Sequence, residues 1–155
     1  MAQGVDESFL ADLANHFRLP DLDYRTYSSL DLAYIGDAVF ELIIRTTVMA
    51  KGGTSVNRMH KQTSALVNAG TQSTIIRLIK DELTVEEKAV YRRGRNTKPA
   101  SPAKNQTLSD YRRATGFEAL MGYLYLKGDF CRMMYLIERG LRLLEKEEAG
   151  KTDAI

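Results

Sequence analysis

Two carboxylates stand where their neighbours favour burial. From Leu32 to Phe40 the chain reads LAYIGDAVF, with Asp37 as its only charge, and from Ala114 to Leu126 it reads ATGFEALMGYLYL, with Glu118 as its only charge. An ionised carboxylate taken out of water is costly unless it is paired, hydrogen-bonded or bound to a metal. Neither stretch offers a cation on the same face, so compensation must come from elsewhere. Glycines accompany both acids: Gly36 precedes Asp37, while Gly116 and Gly122 flank Glu118. A glycine inside a helix costs about 1 kcal/mol relative to alanine, and a close helix crossing would explain it. If the two helices cross at their glycines, Asp37 and Glu118 converge and repel. A hard divalent cation relieves that repulsion. Oxygen ligands without His or Cys point to Mg²⁺, with Mn²⁺ as a substitute, and Mg²⁺ keeps several waters and reaches for substrate phosphates. The plainer alternative is two structural acids, each satisfied separately, and spacing alone leaves both readings open.

A second feature is basic. The formal net charge is only +2, yet RRGRNTKPASPAK carries Arg92, Arg93, Arg95, Lys98 and Lys104 without an acid and holds two of the three prolines. Arginine suits bidentate phosphate contact and lysine point-charge attraction, so this loop could track phosphates. It could equally be a solvated face. Lys104, Asn105, Arg112 and Arg113 adjoin the second acidic stretch, where the two arginines could line a substrate path or pair with Asp110. Glu41, one turn beyond Asp37, reads as the i,i+4 partner of Arg45 rather than as a further cation ligand. His60 reads as a surface or interface residue, and Cys131 as a small buried apolar one.

The elements that must position these groups are helical throughout. Phe9, Leu10, Leu13 and Phe17 make a short apolar stripe before Pro20. Ser28 or Ser29 caps a long apolar segment from about Leu30 to Ala50, which Gly52 and Gly53 stop. Thr54 or Ser55 opens a helix to about Asn68, with Val56, Met59, Thr63, Leu66 and Val67 inward. TQSTIIRLIKDEL follows as the next helix. Thr84 and Glu87 form a capping-box pattern that starts a helix to about Arg93. Ser109 is the expected cap of a helix ending near Gly128, and Asp129 caps the last one, before a polar tail from about residue 146 that should fray. No strand pattern competes, so the expected fold is an all-α bundle of about seven helices.

Size and composition agree with one domain over residues 1–155. The chain of 17.5 kDa is 44% hydrophobic and 27% charged, enough for a core and a solvated surface. A single cysteine excludes an intramolecular disulfide framework and a multi-cysteine zinc site, and two histidines leave little for a His-based metal centre. No segment approaches the roughly 18–20 apolar residues of a membrane span. The N-terminus lacks the layout of a secretory signal, and a reduced cytoplasm is the expected compartment.

LAYIGDAVFEL resembles the signature helix of the ribonuclease III family, and ATGFEALMGYLYL resembles its second acidic motif. Their order and separation match over roughly Leu30 to Gly140. RRGRNTKPASPAKN followed by YRRATGFEALMGYLYL is similar to the Mini-ribonuclease III subgroup, whose members consist of the catalytic domain without the appended RNA-binding domain. The resemblance implies a homodimeric, Mg²⁺-dependent endonuclease for double-stranded RNA, leaving 5′-phosphate and 3′-hydroxyl ends, with precursor large-subunit (23S) ribosomal RNA as the usual substrate. It also implies metal-binding, catalytic roles for Asp37 and Glu118, RNA contact for the basic loop with Asn105, and an interface position for Tyr34, whose alternative is core packing. Near Asp37 two family acids do not carry over: the positions four and seven before it are Ala33 and Leu30. The position three before Glu118 is Thr115, where the broad family has a carboxylate. Those losses leave room for a non-catalytic RNA-binding relative of the same fold. A helical protein–protein adaptor is the other rival, though it leaves two embedded carboxylates without a purpose.

Overall fold

The computed structural model describes residues 2–97 and 107–153. Lys98, Lys104 and Asn105 lie outside the described residues. Seven α-helices follow in order: α1 (Ala2–Phe17), α2 (Ser29–Lys51), α3 (Val56–Val67), α4 (Ala69–Ile79), α5 (Val85–Arg95), α6 (Leu108–Lys127) and α7 (Phe130–Asp153). Short 3-10 turns occupy Tyr24–Thr26 and Lys80–Glu82, and no strand forms among the described residues. None of these helices is long and apolar enough to cross a membrane.

Local chemistry explains most of the boundaries. Ser28 and Thr84 build full capping boxes with Asp31 and Glu87, each pair satisfying two amides that the helix start leaves free. Asn68 ends α3 and caps α4 by accepting the amide of Thr71. Gly52, at φ +64°, stops α2 in a conformation that a side chain would resist. The cap of α6 is Thr107 and not Ser109: the Thr107 hydroxyl accepts the amide of Asp110 at 3.0 Å, which starts the helix two residues earlier. The last helix runs on to Asp153 through the polar tail, where Lys151 pairs with Glu147 one turn back at 3.5 Å.

α6 is the axis of the molecule. Every residue from Gly116 to Tyr125 except Glu118 is buried. A helix buried on all sides has no single apolar face, because α2, α4, α5 and α7 all pack around it. Phe40 of α2 meets Phe117 of α6 edge to face, with ring centroids 5.1 Å apart. Gly140 of α7 lets Ile75 of α4 approach so closely that a Cβ there would lie 2.5 Å from its methyl. Two expectations of burial do not hold in this chain. Cys131 is exposed on the first turn of α7, on the side away from the core. Val56 is exposed at the start of α3.

One ion pair is internal. The Arg132 guanidinium grips Glu87 with both Nε and Nη2 at 2.9 Å, and Nη2 also donates to the backbone oxygen of Glu82 at 2.8 Å. Burial raises the Glu87 pKa, but the Arg132 fork and the Thr84 amide outweigh it and hold the carboxyl below its ordinary value. This contact fastens the N-terminus of α5 to α7, and thereby orients the arginines at the other end of α5.

Candidate active site

The site begins with two backbones in contact. A Cβ built on Gly36 would lie 1.8 Å from the backbone oxygen of Glu118 and 2.6 Å from the amide nitrogen of Gly122. One built on Gly122 would lie 2.0 Å from the backbone oxygen of Leu32. No residue with a side chain fits at either place, so α2 and α6 cross where glycines permit it. Asp37 follows Gly36 directly, and Glu118 is the residue whose carbonyl Gly36 touches. The crossing therefore brings together two acids 81 positions apart in the chain (118 minus 37).

Their electrostatics record the encounter. Burial pushes the Glu118 carboxyl up to about 8, and the negative charge of Asp37 acts in the same direction. Asp37 is more open to solvent; partial desolvation raises its pKa first, and the charge of Glu41 adds to that. The charge of Asp37 thus adds to burial in raising Glu118. Neither acid has an ion-pair partner among the described residues. Two uncompensated carboxylates at one helix crossing form a donor set suited to a hard divalent cation.

The surrounding positions add no third carboxylate. Ala33 is buried, Leu30 is half exposed, and the Thr115 hydroxyl donates to the Tyr111 carbonyl at 2.9 Å, within its own helix. Glu41 is held by Arg45 at 3.2 Å, as its i,i+4 spacing predicts. Among the described residues no three of His, Cys, Asp or Glu gather into a metal cage. Two carboxylates with open coordination fit Mg²⁺, which takes its remaining ligands from water and phosphate.

Glu118 gives the metal-free protein a distinctive pH dependence. In the unfolded chain it loses its proton near its ordinary value of 4.5, but in the folded chain only near 8. The folded state thus binds more protons across that window, so stability falls as pH rises from about 4.5 to about 8 and then levels. The thermal midpoint in chelator should decline across this range. Glu118→Gln should flatten the decline, and a wild-type midpoint that rises over the same range would contradict the burial of this acid.

Arg92, Arg93 and Arg95 do not belong to the loop itself. They occupy the last turn of α5, which extends to Arg95 because Asn96 closes it by donating its amide to the Arg92 and Gly94 carbonyls. That turn sits against α6: a Cβ on Gly94 would lie 2.9 Å from the Gly116 Cα. Arg92 and Arg93 are exposed, and neither has an acid partner among the described residues. Arg113 reaches Asp110 only loosely, at 3.8 Å. His60 is exposed and lines a slot with Arg45, Met49 and Met59 that neither acid lines. Tyr34 is 83% exposed, so it takes no part in the core of this chain. Its helix, α2, contributes Ile35 and Leu42 to an apolar groove of about 470 Å³, whose lining also includes Phe9, Tyr125 and Met134. The groove is a feature that residue types alone did not reveal; the exposed apolar positions of α2 were its only trace.

This helical chain has recognisable relatives. The ribonuclease III domain family matches residues 30–129. The chain is 46% identical to Mini-ribonuclease 3 of Clostridium tetani over 83% of its own length and 86% of that protein. It is 41% identical to Mini-ribonuclease 3 of a Thermoanaerobacter species over 92% of its length and 100% of that protein. A crystal structure of a protein from Fusobacterium nucleatum superposes with a TM-score of 0.69 at 34% identity, covering 74% of this chain and 88% of the other. The chain belongs to the ribonuclease III family of endoribonucleases, in its Mini-ribonuclease 3 group. Members of that family generally use a divalent metal.

Proposed function

We propose that this chain cuts base-paired RNA in a Mg²⁺-dependent reaction, with Asp37 and Glu118 as the metal-holding catalytic acids and 155 residues acting as one catalytic domain. The observation that carries the reading is the pair of uncompensated carboxylates at the Gly36–Gly122 crossing, where burial and then the charge of Asp37 raise Glu118. A bound Mg²⁺ supplies Lewis-acid stabilisation of the phosphodiester and an activated water, with Mn²⁺ as a substitute. The chain's own residues do the rest. Asp37 and Glu118 hold the cation, and the apolar flank of α6 restricts water around Glu118. Arg92, Arg93 and Arg95 attract the sugar-phosphate backbone, joined by Lys98, Lys104 and Asn105.

The substrate in this reading is the precursor of large-subunit (23S) ribosomal RNA, processed in the cytoplasm to 5′-phosphate and 3′-hydroxyl ends. Membership of the Mini-ribonuclease 3 group supports it. The working unit is a homodimer that spans one duplex and cuts both strands. Support for the dimer comes from the apolar groove beside α2 and from Tyr34, a large exposed aromatic on the same helix.

The decisive assay offers duplex and single-stranded RNA of one sequence with Mg²⁺ and maps the product ends. Cleavage of the duplex alone supports the reading, and no cleavage of either sinks it. Removing the charges of Arg92, Arg93 and Arg95 together should weaken duplex binding by roughly tenfold or more and lower the salt slope by about one for each phosphate no longer neutralised. Unchanged affinity in a salt titration would exclude these arginines from the RNA path.

A further inference from the structure

We infer that the hollow between the end of α5 and the start of α6 is an anchor for one backbone phosphate of the RNA, separate from the phosphate being cut. The inference rests on the duplex-RNA reading above and adds a site to it. The hollow holds about 440 Å³ and is lined by Arg95, Asn96, Leu108, Ser109, Arg112 and Arg113. Three guanidinium groups, an amide and a hydroxyl surround it, and no acid is in its lining.

The positive charges there are available. Arg112 has no acid partner among the described residues. The Arg113–Asp110 separation of 3.8 Å is well beyond the roughly 2.7–2.9 Å of a charge-assisted hydrogen bond, so Asp110 leaves Arg113 free to turn to an anion. Arg95 is held in place without being neutralised: its Nε donates to the Asn96 side-chain oxygen at 3.3 Å, and its guanidinium lies 5.6 Å from the Tyr91 ring centre. Such holding reduces the entropy lost when the group takes a ligand.

The start of α6 adds fixed donors. The Thr107 side chain takes the Asp110 amide and its carbonyl takes the Tyr111 amide, which leaves the Leu108 and Ser109 amides without a partner among the described residues. Amides at the start of a 20-residue helix favour an anion, and here Leu108 and Ser109 line the hollow beside three arginines. Like charges around one hollow repel one another, and a phosphate relieves that repulsion. Arg112 precedes Glu118 by six residues, or about 9 Å along the helix axis, so the anchor engages a different phosphate from the one at the acids.

The test compares wild type with Arg112→Ala and Arg112→Lys on a short duplex RNA in Mg²⁺, beside the same duplex carrying a neutral methylphosphonate at one linkage at a time. Arg112 is exposed, so Arg112→Ala should keep the wild-type melting temperature. It should raise KM by roughly tenfold with kcat unchanged, because a missing charge-assisted hydrogen bond is felt in binding. Lysine should restore part of the loss. At one linkage outside the cleaved bond, the methylphosphonate should weaken wild type while leaving Arg112→Ala indifferent. Equal KM in all three proteins, or no discriminated linkage, overturns the anchor. A hollow that binds inorganic phosphate without discriminating any linkage takes free anions only, which also overturns it. If wild type neither binds nor cuts duplex RNA, the duplex-RNA reading itself fails, whatever Arg112 does.

Discussion

Asp37→Asn and Glu118→Gln should each abolish cleavage of duplex RNA while leaving the fold and RNA affinity nearly intact. Each change keeps the volume of the side chain and removes the charge that grips a cation. Altering a group that merely supports a metal ligand costs about 10–100-fold, so loss of the ligand itself should exceed a hundredfold. With only two carboxylates at the crossing, no neighbour can substitute: Thr115 is bonded within its own helix and Glu41 is tied to Arg45. Stability should move the other way. Glutamine at 118 removes a carboxyl whose ionised form is disfavoured both by burial and by Asp37, so the metal-free variant should melt higher than wild type above pH 8. Single-turnover cleavage with excess enzyme, filter binding and thermal melting separate these effects. Full turnover by either variant in Mg²⁺ would remove the two acids from the chemistry.

The second large effect concerns the glycines, not the acids. Gly36→Ala and Gly122→Ala should each destabilise the fold by at least about 3 kcal/mol, because overpacking against backbone cannot be relieved by a rotamer change. The added Cβ would meet backbone oxygens at 1.8 Å and 2.0 Å respectively, and both oxygens belong to central helices that cannot separate without opening the core. Any molecules that do fold should have α2 and α6 pushed apart, with the two acids no longer in register and cleavage lost. Gly150→Ala is the matched control. Nothing lies within 4 Å of its Cβ position in α7, so this change should be neutral or slightly stabilising by the helix preference of alanine. Chemical denaturation of the three variants decides the matter, and equal midpoints would mean that the crossing is looser than its geometry requires.

Much of this is legible in residue order because it depends on neighbours in the chain. The helical periodicity, the Ser28 and Thr84 caps, the stop at Gly52 and the misplaced character of Asp37 and Glu118 are all short-range properties. Resemblance to the ribonuclease III family adds the expected fold and activity. Where short-range reading goes astray, the reason is also physical. Thr107 outcompetes Ser109 as a cap, since either hydroxyl can accept an amide and only the local backbone selects between them. The helix expected to end near Arg93 runs two residues further, to Arg95, because the asparagine closes it.

What the sequence by itself determined is the set of parts: two acids in apolar surroundings, glycines beside them, and arginines gathered near position 92. Only the tertiary structure decided that Gly36 and Gly122 face each other, that Glu118 is the more strongly perturbed acid, and that Arg95 and Arg112 line one hollow. Each of those facts depends on contacts between helices distant in the chain. Periodicity specifies which face of a helix is apolar, but not which partner covers it or at what depth, and both pKa and ligand geometry are set by that depth.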